Sequence, residues 1–403
     1  MEKTRQVILK NIDRKTFKVL FEGQLEAAKV WNFCMLTHKE VRQNRSGKWP
    51  NRFWFQTATK GKFPLHSQSV RMVCRAFDGC IKQTKENRKT DRKRKYPYKE
   101  KRFYSLLWPA QAMSIDKKRN KVILPMGRGR KSLILDKPDW LEEKSPCKIV
   151  WNGYCYEWHI TTSEEDCESK KEGINATVDL GQIHLGAVVT ENQDGLIVSG
   201  RGIRSQKRLL NKVSGSLQRK ISKCKKGSRR FKRLVWAKKK AAASIKRKIR
   251  DMRHKATRQI VNFCRIHNVS NLFVGNPSGV QKKCSGRKHN QRMSQWEFGK
   301  DIEYIFQKAS LHGIDGFKGS ERGTSSTCPE CNIRKKVTGR NWNCHACGFS
   351  GHRDLVGCVN MHKLAFDKPV KHPSRITYLR PGQQWLGSSR CLDTGQLAKA
   401  VAV

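Results

Sequence analysis

The sequence predicts a multidomain α/β protein, and three observations carry that prediction. Short β-rich segments and long helical segments sort into two blocks, one on each side of a charged, turn-forming stretch at residues 163–173. The second block alternates strands with helices, as a sheet covered by helices requires. Near its end lie two Cys-x2-Cys pairs, the spacing of a small metal-bound module. At 403 residues the chain is long enough for two or three domains with a real core.

The first block opens with a strand-like stretch, TRQVILKNI, and then a helical one, FEGQLEAAKVWNFCMLTHKEV. A clearer helix follows in SQSVRMVCRAFDGCIKQT, where Val70, Val73, Cys74, Phe77 and Ile81 share one face. The segment KENRKTDRKRKYPYKEKRF interleaves Tyr96, Tyr98 and Phe103 with dense positive charge. It reads either as a solvated loop or, better, as a surface for phosphates and stacked bases. Between 106 and 163 the pattern turns to strands: NKVILPM, SLILD, CKIVW and YCYEWHITT. With the first strand these are expected to close a small β-barrel over residues 1–20 and 106–163, carrying residues 21–105 as a helical insertion.

The second block starts with INATVDLGQIHLGAVVTENQDGLIVSG, three successive strands with tight turns. A long basic helical region at 203–265 follows, and Gly227 and Ser228 are expected to fold it into a hairpin. Ile245, Ile249, Met252, Ala256, Ile260 and Phe263 lie at helical spacing, so one face should pack on a sheet. Next come the strand NLFVG, a basic loop QKKCSGRKHNQRM, a helix WEFGKDIEYIFQKASLHG and a short strand GIDGFKG beside NLFVG.

Lys and Arg number 85 against 33 Asp and Glu, a formal net charge of +52. A compact state with that surplus repels itself unless a polyanion neutralises it, so nucleic acid is the expected partner. The basic residues recur in every segment and form no single amphipathic patch, which argues against a membrane-surface role. No apolar run approaches the ~18 residues of a membrane span, and MEKTRQVILKN lacks the features of a secretory signal. Of fifteen cysteines, several sit inside helix or strand patterns (Cys74, Cys80, Cys155, Cys264), which fits a reducing cytoplasm better than a disulfide scaffold.

Three motifs carry chemistry. In CPECNIRKKVTGRNWNCHACG, residues Cys328, Cys331, Cys344 and Cys347 form two knuckles separated by twelve residues. Four thiolates make a closed tetrahedral shell for Zn2+, so this site is structural. Its basic residues and Trp342 suit contact with nucleic acid. Asp179 ends an apolar strand in NATVDLGQIHLGAVV, where a carboxylate can bind a hard cation, although Asp before Leu-Gly is also a turn former. Asp354 in GHRDLVGCVNM falls in the first turn of a helix, a position the helix dipole favours whether or not it has a further role.

The order of these parts resembles the RuvC-type RNase H fold, with a zinc ribbon inserted. More specifically, the chain resembles the TnpB family of transposon-encoded RNA-guided DNA endonucleases, relatives of compact type V CRISPR effectors. NATVDLGQIHLGAVV, HNQRMSQWEFGKDIEYIFQKA, GTSSTCPECN, the Cys344–Cys347 pair and HRDLVGCVNM carry that resemblance, which spans residues 1 to about 365; KYPYKEKRF and SLLWP match more loosely. It implies a nuclease domain over 174–320 and 350–365, a zinc ribbon over 321–349 and a C-terminal tail over 366–403. It also implies a guide RNA, double-stranded target DNA with its displaced strand, recognition of a short adjacent motif, and a two-metal site in which an Asp, a Glu and an Asp hold Mg2+. Asp179 and Asp354 match the first and third acids. The second falls on Gly275, which has no carboxylate.

Either the chain only binds its target, as a repressor would, or another acid replaces the missing one. Glu321, at the end of the strand expected beside NLFVG, is the candidate, and a salt-bridged loop residue is its plainer reading. The resulting expectation is a metal-dependent endonuclease with Asp179, Glu321 and Asp354 as catalytic Mg2+ ligands. It would act as a monomer in the bacterial cytoplasm, on the nucleoid when bound. A CRISPR-associated effector and a DNA-joining transposase remain alternatives. Residues 366–403, rich in Gly, Pro and Ser, read as a tail ordered only on RNA binding.

Overall fold

A computed structural model describes residues 2–44, 49–277 and 286–383. The chain divides into two compact units, with the boundary between Glu164 and Glu165.

The first unit contains β1 (Glu2–Ile8), α1 (Arg14–Gln43), α2 (Arg52–Ala58), α3 (Ser67–Thr90), β2 (Leu106–Trp108), β3 (Ser114–Asp116), β4 (Lys121–Leu124), β5 (Leu133–Asp136), β6 (Cys147–Trp151) and β7 (Tyr156–Ser163). Helix α1 begins earlier than its apolar pattern suggests because the Asp13 side chain accepts the Thr16 N–H at 2.9 Å. Helix α3 buries the predicted face, Val70, Val73, Cys74, Phe77 and Ile81. The strands do not close into a barrel. They form two open antiparallel sheets, ordered β1-β7-β6-β2 and β3-β4-β5. Strand β2 has three residues and pairs only with β6, and the chain turns through a short 3-10 segment before β3, so the first sheet ends there. Tyr96 is another departure: it is buried beneath Arg42 and Arg88, whereas Tyr98 and Phe103 are exposed beside Lys95, Lys99 and Arg102.

The second unit is built on a six-stranded sheet. Its elements are β8 (Ile174–Leu180), β9 (His184–Thr190), β10 (Asp194–Ser199), α4 (Arg201–Ser222), α5 (Arg229–Ile266), β11 (Val269–Asn276), α6 (Arg287–Gln295), α7 (Phe298–Ser310), β12 (Asp315–Ser320), β13 (Asn341–Asn343), β14 (Ser350–His352), α8 (Arg353–Phe366) and β15 (Arg375–Leu379). The sheet order is β12-β11-β8-β9-β10-β15. Strands β8, β9 and β10 form an antiparallel meander, while β11 and β12 run parallel to β8 and β15 runs parallel to β10. Both faces of β8 to β11 are covered, so these strands read as nearly continuous apolar runs. Ile245, Ile249, Ile260, Ile302 and Ile305 of α5 and α7 pack on one face, and Leu355, Cys358, Val359 and Met361 of α8 on the other.

The basic hairpin forms where expected. Gly227 takes a positive φ of 86° between α4 and α5, and Ser228 caps α5 by accepting the Phe231 N–H at 3.2 Å. The segment RKHNQRM, expected in a loop, lies in helix α6. Residues 281–285 of that expected loop lie outside the described residues, as do 384–403 of the expected tail. The rest of the tail expectation is overturned by β15, in which Ile376 and Leu379 are buried against opposite faces of the core. Among the described residues, no helix is long and apolar enough to cross a membrane.

Candidate active site and metal centre

Asp179, Glu321 and Asp354 line one cavity of about 530 Å3, and they are the three acids among its lining residues. Each arrives by a different route. Strand β8 places Asp179 on the face that also carries Thr177, whose hydroxyl donates to the Cys358 carbonyl of α8 at 2.9 Å. Helix α8 comes this close because residue 357 is glycine. A Cβ there would stand 2.7 Å from Asp179 Oδ2.

Glu321 follows immediately after β12. Strands β11 and β12 pair in parallel, Gly275 with Gly319 and Asn276 with Ser320, so Glu321 leaves the sheet two positions beyond the level of Gly275. Its side chain turns back over β11. A Cβ on Gly275 would lie 2.7 Å from Glu321 Oε2 and 2.8 Å from Met361 Sδ. The Glu321 carboxylate thus fills the space a side chain at 275 would take. The backbone beyond it is fixed, because Thr324 N–H and Oγ1 donate to the Glu321 carbonyl and Asn360 donates to the carbonyls of Thr324 and Thr327.

Asp354 sits in the first turn of α8, where the His352 ring accepts its backbone N–H. Its carboxylate accepts the Arg340 guanidinium at 2.7 and 2.8 Å and pairs with His184 Nδ1 at 2.6 Å. Burial pushes its pKa up, but the His184 hydrogen bond and the Arg340 charge outweigh that and hold it below the usual carboxylate value. Asp179 is the opposite case: burial, then the charges of Glu321 and Asp354, raise it well above 3.8. Glu321 is pushed up to about 7 by burial. Its Oε2 is buried with no hydrogen-bond partner.

Among the described residues, Asp354 is ion-paired while Asp179 and Glu321 form no ion pair, and this cluster of three carboxylates is a donor set that fits a hard divalent cation. Arg204, Arg292, Arg340 and Arg353 line the same cavity. Burial, and then the neighbouring charges of Arg292 and Arg340, lower the Arg204 pKa, because nearby like charge disfavours its charged form.

The four cysteines converge as their spacing predicts. Cys328 Sγ lies 3.6 Å from Cys347 Sγ, and Cys331 Sγ lies 3.5 Å from Cys344 Sγ. All four donor sulfurs fall within 4.8 Å of one another, a donor set that fits zinc. Both knuckles are closed by backbone hydrogen bonds, Asn332 N–H to the Cys328 carbonyl and Gly348 N–H to the Cys344 carbonyl. Trp342 does not face outward. It is fully buried with Val356 and donates to the Ser325 carbonyl, so it belongs to the ribbon's own core. His184, His352, Arg340 and Gly357 were missed in the sequence, although His184 opens the returning strand and His352 and Arg340 flank the motif residues.

Residues 159–281 match the family model OrfB_IS605, described as a probable transposase, and residues 298–361 match the Cas12f1-like TNB domain. Over 195 residues the chain is 24% identical to a TnpB-like protein of Methanocaldococcus jannaschii, an alignment covering 47% of this chain and 69% of the relative. It also superposes on a chain of the Cas12f1–sgRNA–target DNA complex with a TM-score of 0.58 at 11% identity, covering 87% of this chain and 83% of that one. The chain therefore resembles the TnpB transposase family over its central segment and carries a Cas12f1-like TNB segment after it. Its mixed α/β fold resembles that of the Cas12f1 chain.

Proposed function

We propose that the protein is an RNA-guided DNA endonuclease whose cutting centre is Asp179, Glu321 and Asp354. The sheet order and directions of β8 to β12 support an RNase H-type reading, with a three-strand meander flanked by two parallel strands on one side. The likeness to TnpB and Cas12f1 proteins, together with the charge of +52, supports guide RNA and target DNA as partners. Base pairing with the guide would supply most of the sequence specificity, next to a short adjacent motif read on the duplex. A transposon setting and a place on the bacterial nucleoid follow from the same family reading.

The three carboxylates would hold Mg2+, and the four cysteines would hold a structural Zn2+. Bound there, Mg2+ supplies Lewis acidity at the phosphate and an activated water. The chain's own residues set up the rest. Asp179 and Glu321, both raised by burial, lose their protons to solvent as pH rises and would then be able to hold a cation. Arg204, Arg292 and Arg353 draw the phosphate backbone toward the cavity. Arg340 and His184 orient the Asp354 carboxylate. The ribbon fixes Arg340 through the β13–β14 pairing, in which Asn341 lies opposite His352.

One observation carries the reading: the Glu321 carboxylate occupies the space left by Gly275. A chain that only bound its target would need neither that placement nor the two aspartates. The test is plasmid cleavage by the purified protein–RNA complex with Mg2+, comparing wild type with Asp179→Ala and Glu321→Ala. Loss of cutting in both variants with target binding intact supports the proposal. Binding without cutting by the wild type would point to a repressor, and full cutting by Glu321→Ala would reject the relocated acid.

A further inference from the structure

Beside the acid pocket, the fold assembles a second donor set of different chemistry. The tight turn after β8 returns the chain so that His184, the first residue of β9, stands next to the N-terminus of α8. Strand β14 ends at His352, which caps that helix. One donor atom from each of His184, His352 and Asp354 lies within 4.8 Å of the others. The imidazole centroids are 5.3 Å apart. The His184 side chain is 11% exposed and His352 is 9% exposed, so the corner is partly screened from solvent.

His352 accepts the Asp354 N–H through Nδ1, which a capping serine or aspartate would do as well, and its Nε2 remains available. His184 is placed by backbone pairing, and its side chain meets the Asp354 carboxylate. The positive charge now facing that carboxylate is the Arg340 guanidinium, held at 2.7 and 2.8 Å.

We propose that His184, His352 and Asp354 form a binding site for a first-row transition-metal dication, separate from the four-cysteine ribbon and adjoining the carboxylate pocket. Two imidazoles and one carboxylate with open positions form the donor set that Mn2+, Co2+ and Zn2+ take and that Mg2+ disfavours. Asp354 belongs to both sites, so it can bridge them. A cation here would take over the role of the Arg340 guanidinium at Asp354 and free that side chain, which already lines the cavity. The cavity would then distinguish two cation classes, hard ions at Asp179 and Glu321 and borderline ions at the histidines. The site stands on its own geometry and does not require that the protein cut DNA.

The probe is Co2+, titrated into the full chain whose ribbon already holds zinc and followed by visible absorption and metal content. The expected result is one further equivalent with the spectrum of nitrogen and oxygen ligands and no thiolate charge-transfer band. His184→Ala, His184→Asn and His352→Ala should each weaken it by more than about ten-fold, with ribbon zinc retained at one per chain as the sign of an intact fold. Arg340→Ala should tighten it several-fold by removing the competing charge, and Glu321→Gln should leave it in place. The proposal is overturned if no further equivalent binds, or if the histidine variants bind as wild type does. It is equally overturned if Glu321→Gln alone abolishes binding, since the ion then sits in the acid pocket. Failure of cleavage with Co2+ binding intact would count against the nuclease reading and not against this site.

Discussion

The four-cysteine ribbon and the three-acid pocket are neighbours in the second unit, yet they are balanced in opposite ways. In the ribbon every knuckle is closed by its own backbone hydrogen bonds, and Trp342 and Val356 fill the space beneath. The acid pocket is left unbalanced. Asp179 is raised by burial and by like charge, Glu321 keeps a buried oxygen without a partner, and among the described residues only Asp354 of the three forms an ion pair. A closed sulfur shell holds structure, whereas an open oxygen cluster with unanswered charge stores a demand for cations. The comparison teaches that a metal site's role can be read from how far the protein completes it.

Breaking the ribbon should have the largest structural effect. Cys344→Ser is expected to remove bound zinc and cost the segment from Thr324 to His352 more than about 5 kcal/mol of local stability. Metal analysis and hydrogen exchange would check this, and normal protection of that segment without zinc would contradict it. Glu321→Gln should do the reverse to the metal-free protein. The folded Glu321 titrates at about 7 against an ordinary 4.5, so the native state binds its proton more tightly than the unfolded chain. Its penalty therefore builds as pH rises from about 4.5 to 7 and is level above that. The stability gap in favour of Glu321→Gln should grow across this window, reaching on the order of 3 kcal/mol. Urea unfolding at pH 5 and pH 8 would measure it, and an equal gap at both values would sink the idea.

The smallest effect expected is at the helix glycines. Gly357→Ala brings a methyl group against Asp179 Oδ2, so it should cost about 1 kcal/mol and tilt the carboxylate, despite alanine's better helix propensity. Gly215→Ala on α4 meets nothing within 4 Å and should stabilise by about 0.5–1 kcal/mol. Thermal melts of the pair would separate contact from propensity. Equal stabilisation by both would show that α8 can move away from β8.

The two regions also differ in how far the sequence exposed them. The ribbon is local: its ligands lie within twenty residues, so spacing alone predicts convergence. Asp179 and Asp354 could be picked out because an apolar strand and a helix start frame them. Glu321 came into view through what Gly275 lacks, together with the expectation of β12 beside β11. His184, Arg340 and Gly357 act only across the sheet, the ribbon and the helix, and no local pattern reports such contacts. The same limit explains the fold errors. A barrel and an open sheet share the same alternation, so the pairing partner of β2 could not be read. Residues 375–379 become a strand only because β10 offers an edge, and α1 starts early because a single aspartate caps it. Trp342 looked like a contact surface because its partner, Val356, lies across the ribbon–helix junction.

The central claim is that Glu321 supplies the acid absent at position 275, and exchanging the two positions tests it most directly. Plasmid cleavage would be measured for Glu321→Ala alone and for Glu321→Ala combined with Gly275→Glu, with target binding recorded for both. Cutting should fall by at least about a hundred-fold in the single variant and recover in part when the carboxylate returns on β11. Undiminished cutting by Glu321→Ala would contradict the account.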